Sequence, residues 1–140
     1  NPINNGVNAV IVYDVAIDPN SSNHILAATF AGFYEKKDSG NWLQLIRDSS
    51  RSVQFHPTNS QIFFAGMEGY LAKTLDGGQN WTYSNMLDNG YNYVSDIAID
   101  PTNTDTIFIA VAGFENYGKV FKSENEGDTF SEVLDGENQS

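Results

Sequence analysis

Cysteine is absent from this chain of 140 residues. That removes disulfides, thiolate metal sites and a cysteine nucleophile, but leaves the redox compartment open, because a cysteine-free chain suits either side of a membrane. Basic residues are scarce: 7 against 18 acidic ones give a formal net charge of -11. Such a field repels phosphate backbones and anionic lipid, so nucleic acid is not an expected partner. No apolar run approaches the roughly 18 residues of a membrane span, and no membrane insertion is expected. The only histidines are His24 and His56. Both fall on expected turns or strand ends, without a His-x-x-x-His or His/carboxylate cluster for zinc, and both are read as surface turn residues. Asp76-Gly-Gly echoes a calcium loop without the oxygen spacing of an EF-hand. There is no nucleophile elbow and no phosphate-cradling glycine loop opening a helix. No metal and no cofactor are expected.

What is present is apolar and repetitive. Hydrophobic residues make up 40% and aromatics 13% of the chain, enough to bury a core. Three apolar runs end in turn signals: Tyr13-Asp-Val-Ala-Ile-Asp-Pro19, Ser52-Val-Gln-Phe-His-Pro57 and Ser95-Asp-Ile-Ala-Ile-Asp-Pro101. About twenty residues after each, a short acidic, glycine-bearing loop runs into an aromatic. The loops are Lys36-Lys-Asp38-Ser-Gly40-Asn-Trp42, Thr74-Leu-Asp76-Gly-Gly78-Gln-Asn-Trp81 and Ser123-Glu-Asn125-Glu-Gly127-Asp-Thr-Phe130. Pro19, Pro57 and Pro101 stand 38 and 44 residues apart, and about 40 to 45 residues with four strands is the size of one propeller blade.

Within each unit, alternating or clustered apolar runs of four to eight residues predict four strands, a to d, and no helix-period pattern survives the Gly, Asn and Pro punctuation. The expected strands cover 10–17, 25–30, 33–36 and 42–46, then 52–56, 62–65, 70–74 and 81–84, then 94–99, 106–112, 119–123 and 130–134. The units are 10–48, 51–86 and 94–135, the third lengthened by insertions at 87–93 and 114–117. The fold class expected is all-β: three four-stranded antiparallel blades, an incomplete propeller and a fragment of a larger one. The chain opens on Asn1 rather than Met, as a processed or excised piece would. Asn20-Ser-Ser22 and Asn80-Trp-Thr82 fit the glycosylation sequon.

The loop has a physical logic that needs no ligand. A short acidic side chain accepts hydrogen bonds from amides of its own turn, glycine takes the backbone angle others resist, and the aromatic plugs the space beneath. With these residues the sequence resembles the Asp-box, or BNR, repeat family. Thr74, Asp76, Gly78 and Trp81 match its motif fully. Ser123, Asn125, Gly127 and Phe130 match with Asn for Asp. Asp38, Gly40 and Trp42 form a degenerate copy, with Lys36 where a hydroxyl is expected and the aromatic one residue early. The resemblance implies a β-propeller in which the box is mainly structural. The family includes sialidases, xyloglucan-cleaving glycoside hydrolases, sortilin-type receptors and a photosystem assembly factor, with the last three closest in pattern. The sialidase site the family uses has three arginines, and this chain has only Arg47 and Arg51.

If the strands run antiparallel, the a-to-b turns share one face with the box loops, while b-to-c and d-to-a loops lie on the other, where related propellers hold ligands. That second face is expected to carry Arg47, Arg51, Tyr91, Tyr93, Phe114 and Tyr117 as binding residues, aromatics suiting sugar rings or a protein hot spot. Asp48, Glu68, Asp88 and Glu115 are its candidate carboxylates, since glycoside hydrolysis needs two acids at a set separation. The expected role is a non-catalytic glycan- or protein-binding or scaffolding module, extracellular or periplasmic. The alternative is a fragment of a xyloglucanase-like, β-glucan-cleaving hydrolase whose active site needs further blades. Expected partners are the glycan or protein ligand, and either remaining blades of the same chain or further copies to close the ring.

Overall fold

The computed structural model describes residues 11–84, 92–113 and 118–136. Among these the chain forms strands and no α-helix: β1 (Val12–Asp18), β2 (Ser21–Thr29), β3 (Gly32–Lys37), β4 (Leu43–Ile46), β5 (Ser50–Phe55), β6 (Phe63–Met67), β7 (Leu71–Thr74), β8 (Thr82–Ser84), β9 (Asn92–Ile99), β10 (Ile107–Gly113), β11 (Gly118–Ser123) and β12 (Ser131–Asp135). They make three sheets, each an antiparallel run of four strands consecutive in sequence, β1 to β4, β5 to β8 and β9 to β12. These are three propeller blades.

The first a-to-b turn is tighter than its composition suggests. Residues 21–23, expected as turn, begin β2, so Pro19 and Asn20 alone reverse the chain, with the Asn20 N–H donating to Asp18 Oδ1 at 2.8 Å. Thr102 N–H donates to Asp100 Oδ1 in the same way, also at 2.8 Å. In the second blade the acceptor is an imidazole: His56 Nδ1 takes the Thr58 N–H at 3.1 Å.

Two cores lie in the seams between blades. Leu26, Phe33, Val53, Phe55 and Phe63 belong to the first, Phe64, Leu71, Val94, Ile107 and Ile109 to the second. Adjacent residues of β6, Phe63 and Phe64, therefore point into different seams, as the two-residue period of a strand requires. The middle blade is covered on both sides, with every residue of β6 and β7 buried. In β10, by contrast, buried residues alternate with more exposed ones, because only one of its faces meets a neighbour.

The a-strands β1, β5 and β9 run side by side as the inner wall. Each is bulged at one equivalent place, where Tyr13, Arg51 and Ser95 drop out of register. A bulge bends its strand and re-aims the extra side chain. The next residue then reaches forward to the following blade. Asp14 Oδ2 accepts the Val53 N–H at 3.2 Å, and Ser52 Oγ donates to Val94 O at 2.8 Å. Gly66 sits against that second contact with no room for a side chain.

Two boxes close as their chemistry dictates. Thr74 Oγ1 accepts the Gly78 N–H at 2.8 Å, and Asp76 accepts the amides of Gln79 and Asn80 at 3.1 and 2.8 Å. Ser123 and Asn125 repeat this with Gly127 and Thr129, at 2.8 and 2.9 Å. Gly78 and Gly127 have φ of 90° and 84°, which glycine alone adopts freely. Bonds from the Asn80 side chain and amide, with help from Thr74 and Gln79, hold the Asp76 carboxyl below its usual range. Trp81 packs edge-on against Phe33 and Phe63, with ring centroids 5.8 and 5.7 Å away, and Phe130 packs on the second core. Each aromatic thus plugs the seam with the preceding blade.

The first copy departs from this scheme. Asp38 accepts no amide among the described residues. Its own N–H donates to Asn23 O at 2.9 Å, as Gly77 N–H does to Gln61 O and Glu126 N–H to Asp105 O. It also shares their positive φ (51°, 72° and 58°). Asp38 therefore holds the position after the box acid, and Gly40 closes a short turn onto Lys37 O at 3.0 Å. The loop is a residue shorter and Lys36 supplies no hydroxyl, so the network cannot form. Trp42 is half-buried and belongs to neither seam core, since no blade precedes it among the described residues.

Candidate functional site

Bonds from the box loops to Gln61 and Asp105 of the a-to-b turns, and to Asn23 near the start of β2 in the first blade, place loops and turns on one face, as expected. On the other face the inner wall and the b-to-c loop build a compact polar and aromatic group. The bulge turns Arg51 of β5 between two rings, its guanidinium carbon 4.3 Å from the centroid of Tyr13 of β1 and 4.6 Å from that of Tyr93 of β9. Its Nε and Nη2 donate to Glu68 Oε1 at 3.1 and 2.8 Å. Glu68 stands on the β6–β7 loop, which is pinned to β9 by a bridge to Tyr93 and by the Gly69 N–H on Asn92 O at 2.8 Å. Three blades thus contribute to one stack. A guanidinium held over aromatic faces gains roughly 0.5 to 2 kcal/mol, and its plane is fixed.

Beside this stack the Tyr70 hydroxyl donates to Asp48 Oδ2 at 2.9 Å, and its ring meets Tyr83 edge-on at 5.3 Å. Burial first, and then the Asp48 carboxylate, push the Tyr70 hydroxyl well above the phenol range, so it remains a donor. Arg47 is exposed and has no polar partner among the described residues. Of the residues expected on this face, Arg51, Tyr93 and Glu68 meet in the stack, and Asp48 lies in the Tyr70 pair. Asp88, Tyr91, Phe114, Glu115 and Tyr117 lie outside the described residues. Asp48 and Glu68 are both engaged, so an acid–base pair made of these two would have to break a contact on each.

Tyr13 and Tyr70 were not among the expected residues. Aligning the three runs puts Tyr13 and Arg51 at one repeat position, but the bulge that takes both out of register has no sequence mark.

The histidines require correction: both are buried. His24 lies on β2 because that strand starts early, and it faces the first seam. Its Nδ1 is 3.0 Å from Asp18 Oδ2 and its Nε2 2.8 Å from Glu35 Oε1, which Lys37 Nζ also approaches at 3.2 Å. Both contacts are hydrogen bonds only if both ring nitrogens carry hydrogen or one carboxyl does. A His/carboxylate cluster therefore exists after all. Burial raises Asp18, but hydrogen bonds from Ser60, Asn20 and His24 outweigh it and hold the carboxyl below its usual range. Among the described residues no group of three or more His, Asp or Glu is arranged to hold a metal.

The fold is that of three β-propeller blades, two of them closed by a loop that resembles the Asp-box. No family profile and no curated protein sequence matches the chain. Solved structures similar to it include an ancestral GH74 enzyme, 20% identical with a TM-score of 0.77, covering 94% of this chain and 19% of that one. YCF48 bound to D1 peptide is 18% identical with a TM-score of 0.65, over 94% of this chain and 41% of that one. The extracellular domain of a one-component system from B. thetaiotaomicron is 16% identical with a TM-score of 0.71, over 97% and 18%. The chain therefore spans less than half the length of each of these, and the likeness is one of fold.

Proposed function

We propose that this chain is a non-catalytic binding segment of an Asp-box propeller. It takes a glycan on the face where Tyr13, Arg51 and Tyr93 stack, in an extracellular or periplasmic setting. The observation that carries the reading is the clamped guanidinium. Three blades and a bulge are used to fix one arginine and two tyrosines at a loop-rich face, and Arg47, which has no polar partner among the described residues, stands exposed on the loop before β5. Amphipathic rings with fixed donors suit a polyhydroxylated ligand. Binding of xyloglucan and other soluble β-glucans to the chain, measured by calorimetry, tests it. Binding is expected and should be lost in Arg51→Lys, which keeps the charge without the planar fork. Absence of binding to any glycan, with a peptide bound instead, would redirect the site to a protein ligand.

The alternative, a hydrolase segment, draws on the likeness to a GH74 enzyme and on Asp48 and Glu68 sharing this face. The engagement of both carboxylates counts against it. Reducing-end release from the same glycans by the natural gene product would establish it and remove the first reading.

A further inference from the structure

Among the described residues two sheet faces of the arc stay uncovered, and they are complementary rather than alike. On the first blade the inner strand turns Val12, Val15 and Ile17 outward, 56%, 60% and 63% exposed. On the third, Phe108 and Leu134 are 38% and 45% exposed. The seam between blades two and three shows how such faces are covered within the chain. Lys73 lies over the ring of Phe64, its cross-strand partner, at 6.0 Å. It reaches into the next box loop, where Nζ donates to Glu126 O at 2.7 Å and Asp128 Oδ1 at 3.2 Å.

Blade three carries the donor half of that device again. Lys122 lies 5.9 Å over Phe108, also its cross-strand partner. It rests for now on exposed Glu124 of its own loop at 2.9 Å, a pair of little worth in water. Blade one carries the acceptor half, since Asp38 holds the place of Glu126 and its exposed carboxylate has no partner among the described residues. The inner wall repeats the match. Asp14 gives one oxygen to its own strand, to Val15 N–H, and the other to the next blade, to Val53 N–H. Asp96, its equivalent on β9, makes the same bond to Ile97 N–H at 2.9 Å. Its second oxygen has no partner among the described residues.

We propose that a second copy of the chain covers these faces head to tail, blade three of one copy packing on blade one of the next, with Lys122 taking the box loop at Asp38 of the second copy. The contact is heterologous, so two copies related by a twofold axis make it twice and close a ring. Asp96 of each copy then turns its second carboxylate oxygen to the inner strand of the other. Apolar burial drives the contact against the -11 charge carried by each copy.

Light scattering during gel filtration tests this. The chain is expected to run at twice its 15.4 kDa mass. Ile17→Asp and Phe108→Asp, each at an exposed position, are expected to give folded monomers, with circular dichroism unchanged. Mixed in equal amounts, the two variants are expected to pair through one contact, because blade three of the Ile17→Asp copy and blade one of the Phe108→Asp copy are both intact. A wild-type chain that stays monomeric up to about 1 mM, weaker than any useful association, overturns the proposal and leaves both faces to further blades of a longer polypeptide. A dimer indifferent to Ile17→Asp, or variants that do not complement, overturns the head-to-tail geometry.

Discussion

Replacing Gly66 by alanine tests whether the seam between blades two and three is as tight as it looks. Gly66 is not in the left-handed region, so the substitution carries no backbone strain and its effect is steric. The new Cβ would overlap Ser52 Oγ, and would lie 2.7 Å from Val94 O and 2.9 Å from Val94 Cβ. Ser52 can rotate away, but only by giving up its bond to Val94 O, at about 1 kcal/mol. Val94 O is backbone on the neighbouring blade and can yield only if β9 moves, an overpacking cost of about 1 to 3 kcal/mol. The expected loss is about 2 to 4 kcal/mol, read as a fall in the urea midpoint with an unchanged slope. The double variant Ser52→Ala, Gly66→Ala separates the two parts. It removes the overlap with Oγ and leaves the clash with Val94 O, so rescue should be partial. Gly66→Ala within about 0.5 kcal/mol of wild type, or full rescue by Ser52→Ala, would refute the argument that β6 and β9 are in closest approach there.

Trp81→Ala should cost about 3 kcal/mol, the low end for a core aromatic because the ring is half-buried, while Trp42→Ala should cost clearly less; equal losses in urea melts would contradict the seam assignment. Lys73→Met leaves Glu126 O without its charged donor and should destabilise by about 1.5 to 3 kcal/mol, measured the same way. Asp18 and Asp76 have depressed carboxyls, so their contribution is complete above the ordinary aspartate pKa of about 4 and is lost as pH falls through the lower folded values. Asp76→Asn should keep the fold at neutral pH, as Asn125 does in the third box, and flatten the acid limb of a stability–pH profile; an unaltered limb would exclude Asp76 as a source.

The blade plan was legible because it depends on local chemistry repeated three times. Apolar runs broken at Pro19, Pro57 and Pro101 set the strand order, and the Thr74 and Ser123 loops fold as their residue types require. Failures occurred where a side chain's fate depends on a neighbouring strand or on a single residue of backbone length. His24 sits in a stretch of turn-forming residues, yet it is drawn into strand by Asp18, Glu35 and the aromatic edge of Phe55, 4.9 Å away, none of which is adjacent in sequence. Asp38 matches the motif by spelling and misses it by one residue of loop length. Tyr13 looks like an ordinary strand residue until the bulge takes it out of register.

Contacts across one seam link stability to the candidate site. The seam between blades two and three is held at three levels. Lys73 bonds Glu126 and Asp128 on the box side, Ser52 bonds Val94 in the middle, and Arg51 and Glu68 engage Tyr93 on the opposite face. Tyr93 is the residue before Val94, so a shift of β9 that relieves a clash at Val94 also moves one wall of the guanidinium stack. Gly66→Ala should therefore weaken ligand binding as well as folding. Lys73→Met, acting at the far end of the same seam, should weaken folding alone. A ligand affinity equally reduced by both would mean that the blades move as rigid bodies about the seam, and the site would then report on blade angle rather than on the local position of β9.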